Sequence, residues 1–503
     1  MKMRIKNLYR QQFVCLLTFL TLFVSSLSAQ QKLNLAECRT LALKHNREVK
    51  IAQNQIVAAE HIKKSALTHY LPKISFGAAW LHTNKALQPL ENNLFLPIVP
   101  FNAIDITTGK LNPEAFNDLQ TAMNTLVMNP QTGAPMVDAN GNPIFKNYAM
   151  LPADKLVFDH KNSYLGRFAI TQPIFTGFKI TESNKIATRA HKIAQENELL
   201  TKAEIVAKTD EAFWRVVSLQ EKLKLANAYE SLLDRLVRDL ENMFAEGVIT
   251  RNDLLKAQVK RNEAKLKTLQ AENGCALSRM ALAQIIGVNE CNMEIESENL
   301  QEAPETMPIS LENEISSDKR AEIAMLKDKV AIMDSKRNIE RSKFMPNIVL
   351  TGGYGWVNPN LYSGLKSEFG GDWSVGVAVS IPIFTWGERR HNLQTATLKR
   401  ENAELQLDEA REMIDLQIRQ NRYRYREVLK KVEMTKLSKE QAQENMRMAN
   451  EHLVEGKSRL SELLEAQLQW EIASSEHIDA LVEMKTTLLE LDKSTGEIYN
   501  YLY

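Results

Sequence analysis

The chain has 503 residues, 44% hydrophobic and 25% charged, with 63 Lys and Arg against 62 Asp and Glu. Balanced charge without a basic stripe excludes a nucleic-acid partner. Beyond the N-terminal segment no stretch is long and apolar enough for a transmembrane helix, which leaves a soluble product or a β-barrel.

At the N-terminus Lys2, Arg4, Lys6 and Arg10 precede an apolar run over 13–24 and the small-residue stretch Ser25-Ser26-Leu27-Ser28-Ala29. This order predicts a secretory signal over 1–29 and a mature chain starting at Gln30. The run is shorter than the about 20 residues a bilayer span needs. Neither Cys15 nor Cys38 directly follows the cut, so no lipid anchor is expected. The exported chain carries 59 basic and 62 acidic residues, a net charge of −3, and three cysteines, Cys38, Cys275 and Cys291. An odd count argues against a disulfide scaffold. Cys275 and Cys291 either pair or pack as small apolar side chains.

A short helix is expected over 33–69, after which Tyr70-Leu71-Pro72-Lys73-Ile74 opens a strand. In it Ile74, Phe76, Ala78 and Trp80 share one face and Ser75, Gly77 and Ala79 the other. The stretch 83–160 is rich in Pro, Asn and Gly and reads as a long loop, with a small helix over 114–128 and a hairpin around Asp138-Ala139-Asn140-Gly141-Asn142-Pro143. The hairpin residues lack the bidentate Glu and the glycine position of a calcium loop, so a turn is expected there. The return strand sets Tyr164, Phe168 and Ile170 opposite Arg167, Ala169 and Thr171 and leaves through Gln172-Pro173-Ile174-Phe175-Thr176-Gly177. From 179 to 245 there is neither Pro nor Gly. Leu219, Leu223, Ala226, Leu233, Val237, Leu240 and Phe244 form one apolar stripe and Leu225, Tyr229, Leu232, Leu236 and Met243 a second, which predicts a helix of about 100 Å with apolar neighbours on two sides. It turns at Gly247 into a shorter helix ending near Gly287.

The second half repeats the first. Gly247, Asp253-Leu254-Leu255, Ala257-Gln258 and Gly287 are answered by Gly456, Glu462-Leu463-Leu464, Ala466-Gln467 and Gly496 at a constant offset of 209. Tyr70-Leu71-Pro72-Lys73-Ile74 is answered by Phe344-Met345-Pro346-Asn347-Ile348 at an offset of 274, so the first half carries the 83–160 stretch as an insertion. A helix over 311–343 leads to a strand with Ile348, Leu350, Tyr354 and Trp356 on one face, then to a strand with Trp373, Val375, Val377, Val379 and Ile381 over Ser374, Gly376, Ala378 and Ser380. Ile381-Pro382-Ile383-Phe384-Thr385-Trp386-Gly387 leads into a second long helix over 388–453, a turn at Gly456 and a last short helix. The domains are therefore a signal over 1–29, a first repeat over 30–287, a linker over 288–310 and a second repeat over 311–503. Each strand has roughly the length of a tilted membrane strand and aromatics near its ends. Four strands cannot close a barrel, and open edges in lipid leave backbone groups unsatisfied. Three copies would supply twelve strands.

The opening Leu33-Asn34-Leu35-Ala36-Glu37-Cys38 with Ala42-Leu43, the Leu71-Pro72 strand entry, the two Pro-Ile-Phe exits into Gly and the two Gly-turn-Leu-Leu-x-Ala-Gln segments together resemble the TolC-like outer-membrane efflux protein family over nearly the whole mature chain. The resemblance implies a mainly α fold with a membrane β-barrel: a homotrimer with a twelve-stranded barrel in outer-membrane lipid, continuous with a periplasmic α-helical barrel of duplicated halves. It implies passive conduction for an inner-membrane pump joined by a periplasmic adaptor. Strand-helix junctions fall at Pro173, Gly177, Pro382 and Gly387, and helix-hairpin turns at Gly247 and Gly456. The family's acidic entrance ring maps to Glu462 and Glu465, whose three-residue spacing sets both carboxylates on one helix face. Its latch aspartate maps to Asp253. The latch tyrosine position is Leu453 here and the latch arginine position is Ser458, with Lys457 and Arg459 on either side and Arg459 the expected partner of Asp253.

No His-x-x-x-His or Cys-x-x-Cys occurs, His45, His61, His69 and His82 are isolated, and Gly352-Gly353 and Gly370-Gly371 flank a hairpin. No catalytic, cofactor or metal site is therefore expected. Export of drugs and other small toxic compounds is the leading expectation. Secretion of a protein through the same tunnel is the alternative within transport, and a surface adhesin built on coiled-coil helices and the 83–160 insertion is the alternative of another class.

Overall fold

A computed structural model describes residues 31–86, 88–157, 161–288, 293–295, 300, 317–360, 363 and 366–502. The signal segment and Cys291 lie outside the described residues, and with Cys291 the question of its pairing to Cys275, itself buried. The chain divides into two compact units, one of residues 1–69, 177–345 and 382–503, the other of 70–176 and 346–381.

The first unit is helical and duplicated. Helices α1 (Leu35–His45), α2 (Arg47–Thr68), α4 (Lys179–Ala245) and α5 (Arg251–Ile286) come from the first repeat. Helices α6 (Ala321–Ser342), α7 (Glu388–Val454) and α8 (Leu460–Thr495) come from the second. Matching helices have equal lengths: 22 residues in α2 and α6, 67 in α4 and α7, 36 in α5 and α8. At 1.5 Å per residue α4 and α7 each run about 100 Å. None of the described helices is long and apolar enough to cross a membrane. A parallel strand pair, β1 (Gln31–Leu33) with β6 (Met293–Ile295), joins the start of the described chain to the segment after α5.

The single helix expected over 33–69 is two. Asn46 leaves the helix at φ −65°, ψ 135°, its side chain accepts the Glu48 N–H at 2.8 Å, and its amide donates to the Ile285 carbonyl at 3.3 Å. Capping a new helix satisfies backbone donors that would otherwise face solvent or core. The helix expected from 311 starts at Ala321, and 311–316 lie outside the described residues.

Phe213, Val217, Leu282, Ile286, Tyr425, Met484 and Leu491 bring α4, α5, α7 and α8 into one core. A buried polar network ties α1 and the C-terminal 3-10 helix Glu497–Leu502 to it. Arg39 donates to both carboxylate oxygens of Asp210 at 2.8 and 2.6 Å, and its guanidinium lies 4.2 Å over the Tyr501 ring. The Tyr501 hydroxyl donates to Asp492 at 2.6 Å, and burial, ahead of the nearby carboxylates, raises its pKa above the ordinary value.

His477 of α8 is buried with Nδ1 3.2 Å from the Thr435 hydroxyl of α7. Burial first, then Lys439 and Lys436, lowers its pKa from 6.5. The unfolded chain therefore takes up this proton at a higher pH than the folded one, and stability falls as pH drops below about 6.5. Melting at pH 7.5 and 5.5 checks this: His477→Gln should lose less stability between the two than wild type. An equal loss would assign the acid sensitivity to other groups.

The second unit holds an antiparallel sheet in the order β2-β5-β7-β8, formed by β2 (Lys73–His82), β5 (Asn162–Phe175), β7 (Asn347–Asn358) and β8 (Gly370–Ser380). Among the described residues β2 and β8 are paired on one side only. The register places Phe76, Phe168, Tyr354 and Trp373 in one row, on the same face as Ile74, Trp80, Leu350, Val375 and Val377. The opposite face carries Ser75, Ala79, Ala169, Thr171, Thr351, Ser374 and Ala378. The expected alternation is thus observed, and the aromatic face is exposed within one chain.

Glycines seat the aromatic rings. A Cβ at Gly166 would lie 2.4 Å from the Trp356 ring, which itself stacks 5.9 Å from Phe76. Gly166→Ala should therefore destabilise the sheet by about 1–3 kcal/mol through overpacking, and adding Trp356→Ala should recover part of the loss in denaturant unfolding. No recovery would remove the ring contact as the cause.

Within the insertion a two-stranded ribbon, β3 (Leu94–Pro97) with β4 (Tyr148–Leu151), is a feature the sequence pattern did not indicate. The helix expected over 114–128 is a 3-10 turn, Pro113–Asn117, and a separate helix α3 (Leu119–Thr125), because Asp118 leaves helical geometry to accept the Thr121 N–H at 3.0 Å. Asp138 accepts the backbone N–H groups of Asn140 and Asn142, each at 2.9 Å, and closes a turn there.

Candidate functional site

The two helix-hairpin turns lie at the ends of α4 and α7. Gly247 (φ 78°) and Gly456 (φ 72°) are left-handed, and nothing lies within 4 Å of where a Cβ would be, so glycine is required by backbone conformation alone. Both turns have the same double closure: Val248 N–H to the Met243 carbonyl at 2.9 Å with Gly247 N–H to Phe244 at 3.0 Å, and Lys457 N–H to His452 at 2.8 Å with Gly456 N–H to Leu453 at 3.0 Å. The helices that follow start differently. Thr250 caps α5 by accepting the Asp253 N–H at 3.2 Å, whereas Arg459 at the start of α8 supplies no side-chain cap.

Behind the turns Leu233, Leu236, Val237 and Leu240 of α4 pack with Ala257 and Ala264 of α5 and with Leu460, Leu463 and Leu464 of α8, and the half-buried Leu453 of α7 packs against them. Tyr229 in this core has its hydroxyl pushed up to about 12, by burial first and then by Glu471 and Glu263. Because 460, 463, 464 and 467 point inward, 462 and 465 point out: both glutamates are exposed, on one face, and take part in no salt bridge among the described residues. Asp253 is held locally, accepting from the Thr250 hydroxyl at 2.7 Å with Lys256 at 3.6 Å. Arg459 is exposed, and no ion pair joins it to Asp253 within one chain among the described residues. The structure therefore brings Glu462 and Glu465 together and leaves Asp253 and Arg459 apart.

At the strand-helix junctions, the β5–β7 register shifts between Pro173 and Phe175. Each long helix is entered through two consecutive left-handed residues, Gly177 (φ 62°) with Phe178 (φ 71°), and Trp386 (φ 52°) with Gly387 (φ 85°). The glycines were visible in the sequence. Phe178 and Trp386 were not, because only one residue of each pair is glycine and the glycine changes place between the repeats. A Cβ at Gly177 would sit 2.7 Å from the Ser342 carbonyl, so this position excludes any side chain. In the second junction Arg389 donates to the Thr385 hydroxyl at 2.9 Å and to the carbonyls of Lys343 and Pro382 at 3.1 and 3.2 Å, holding the turn closed.

No group of His, Cys, Asp and Glu able to hold a metal ion occurs among the described residues. What the chain offers is a sheet with open edges, two sealed helix turns and an acidic face. Comparison with protein families matches residues 138–288 and 317–497, more than half of the chain, to the family described as outer membrane efflux protein. The chain belongs to the outer membrane efflux protein family. The two matched stretches fall one in each repeat, as the duplication requires. The same fold is found in solved channels. CmeC of Campylobacter jejuni is 17% identical, with 92% of this chain and 85% of that chain covered and a TM-score of 0.66. VceC of Vibrio cholerae is 14% identical, with 92% and 96% covered and a TM-score of 0.66. The open state of MtrE from Neisseria gonorrhoeae is 16% identical, with 92% and 88% covered and a TM-score of 0.65. At these identities the likeness carries the efflux-protein fold and nothing finer. No curated protein matches.

Proposed function

We propose that three copies of this chain form an outer-membrane channel that passively conducts small molecules outward for an inner-membrane pump, through a periplasmic adaptor. The observation that carries this reading is the four-stranded sheet with unpaired edges at β2 and β8 and one aromatic face. Edge backbone groups in lipid cost several kcal/mol each, and joining β8 of one copy to β2 of the next satisfies them. Three such joints give twelve strands, with the aromatic face toward lipid and the small, polar face toward the lumen. Membership of the efflux-protein family supports the same assignment. Deleting the gene together with its paralogues should raise susceptibility to dyes, detergents or antibiotics. Unchanged susceptibility to all of them would count against small-molecule efflux, and loss of one polypeptide from the secretome would favour protein secretion instead.

In this reading Glu462 and Glu465 of three chains place six carboxylates at the periplasmic entrance, and the turns at Gly247 and Gly456 hold that end rigid. Asp253 and Arg459, apart within one chain, would meet between neighbouring chains as a latch. Asp253→Ala is then expected to raise the closed-state conductance, and Arg459→Ala to do the same. Unaltered closed-state current in both variants would remove the latch from the account.

A further inference from the structure

One row on the small, polar face of the sheet stands out by charge: Gly77 of β2, Arg167 of β5, Gly355 of β7 and Asp372 of β8. The neighbouring rows on that face, Ser75-Ala169-Gly353-Ser374 and Ala79-Leu165-Val357-Gly370, carry no charge, and Lys73 lies at the far end of β2. Arg167 is exposed and forms no ion pair among the described residues. Its side chain runs sideways across β7: a Cβ at Gly353 would lie 3.5 Å from its Nε, and one at Gly355 would lie 3.9 Å from its Cγ. The two glycines thus leave a trough in which the side chain lies. Asp372, two strands away, already accepts the N–H of Trp373 at 2.8 Å.

We propose that Arg167 is a selectivity residue of the barrel wall, where three such guanidinium groups form a cationic girdle that favours anionic solutes over cationic ones. The proposal rests on the trimeric barrel proposed above. Rings of Arg or Lys are the usual means by which pores prefer anions. With Lys73 and Asp372 counted, the face keeps one net positive charge per chain. Twelve strands about 4.8 Å apart and tilted about 40° enclose a backbone radius of roughly 12 Å. The Debye length is about 10 Å at 0.1 M salt and about 3 Å at 1 M, so the girdle's field fills the lumen in dilute salt and collapses onto the wall in concentrated salt.

An acidic entrance in series would dominate a whole-channel reversal potential, so the test is local. Ser75, exposed in the row beside Arg167, is changed to cysteine in the full chain in liposomes. Anionic sulfonatoethyl and cationic trimethylammonioethyl thiosulfonate reagents are added outside, with the chain lacking Ser75→Cys as blank. At 0.1 M salt the anionic-to-cationic rate ratio should fall about fivefold on Arg167→Gln, stay near its starting value on Arg167→Lys and rise on Asp372→Asn, with these differences fading at 1 M. A ratio indifferent to both Arg167→Gln and Asp372→Asn would overturn the proposal. Reaction with a lipid-soluble maleimide but with neither charged reagent would place the small face in lipid and overturn the barrel orientation beneath it.

Discussion

Replacing Glu462 and Glu465 together with glutamine is expected to lower cation selectivity and to weaken block by divalent and trivalent cations by about tenfold or more, while the trimer still assembles. The side chains are exposed while Leu463, Leu464 and Ala466 between and beside them are buried, so the substitution removes charge without touching the helix seam. Six carboxylates drawn to one axis repel one another, and a multivalent cation relieves that repulsion most where water is scarce. Each neutralisation should therefore act on ion binding and hardly at all on stability. Single-channel recordings with wild-type selectivity and wild-type block in the double variant would return both residues to ordinary solvated charges.

Arg39→Ala is expected to be the most destabilising of the single substitutions considered, at about 3 kcal/mol. Asp210 is 2% exposed and is held by both guanidinium hydrogen bonds, so truncation leaves a carboxylate in the core without its cation. Breaking a buried pair from one side costs about 3–5 kcal/mol, and the lower end applies because the Arg39 side chain is itself a fifth exposed. The same truncation removes the guanidinium from over Tyr501, which loosens the C-terminal 3-10 helix from α1. By contrast the exposed Lys64 to Glu60 pair on α2 should be removable with no measurable change. Denaturant unfolding of the two variants side by side decides the matter: equal midpoints would show that the Arg39 to Asp210 pair does not hold α1 to α4.

The parts of the fold legible in the sequence were those written as a period or a repeat. The long helix over 179–245 announced itself by lacking Pro and Gly and by its two apolar stripes, and the strands by an alternation that the register preserves row by row. Glu462 and Glu465 were legible as a pair because helical spacing alone puts them on one face. Features that depend on a single residue's backbone choice were not. Asn46 and Asp118 are ordinary polar residues within helical stretches until their side chains cap the next turn. Phe178 and Trp386 carry no mark of a left-handed conformation, since nothing in their chemistry favours it. Arg39 and Asp210 lie 171 residues apart and no spacing rule joins them. Among the described residues no ion pair joins Asp253 to Arg459 within one chain, and a contact between neighbouring chains, as proposed above, is one that no spacing in a single sequence can show.

The central claim is that this chain builds a water-filled path across a membrane, and current through a planar bilayer tests it most directly. Purified protein added to one side is predicted to give discrete conductance steps, each from one trimer, with closed-state current rising in Asp253→Ala. Protein that is folded and inserted yet passes no current under any voltage, salt or pH would contradict the channel and favour an adhesive surface role for the insertion over 83–160.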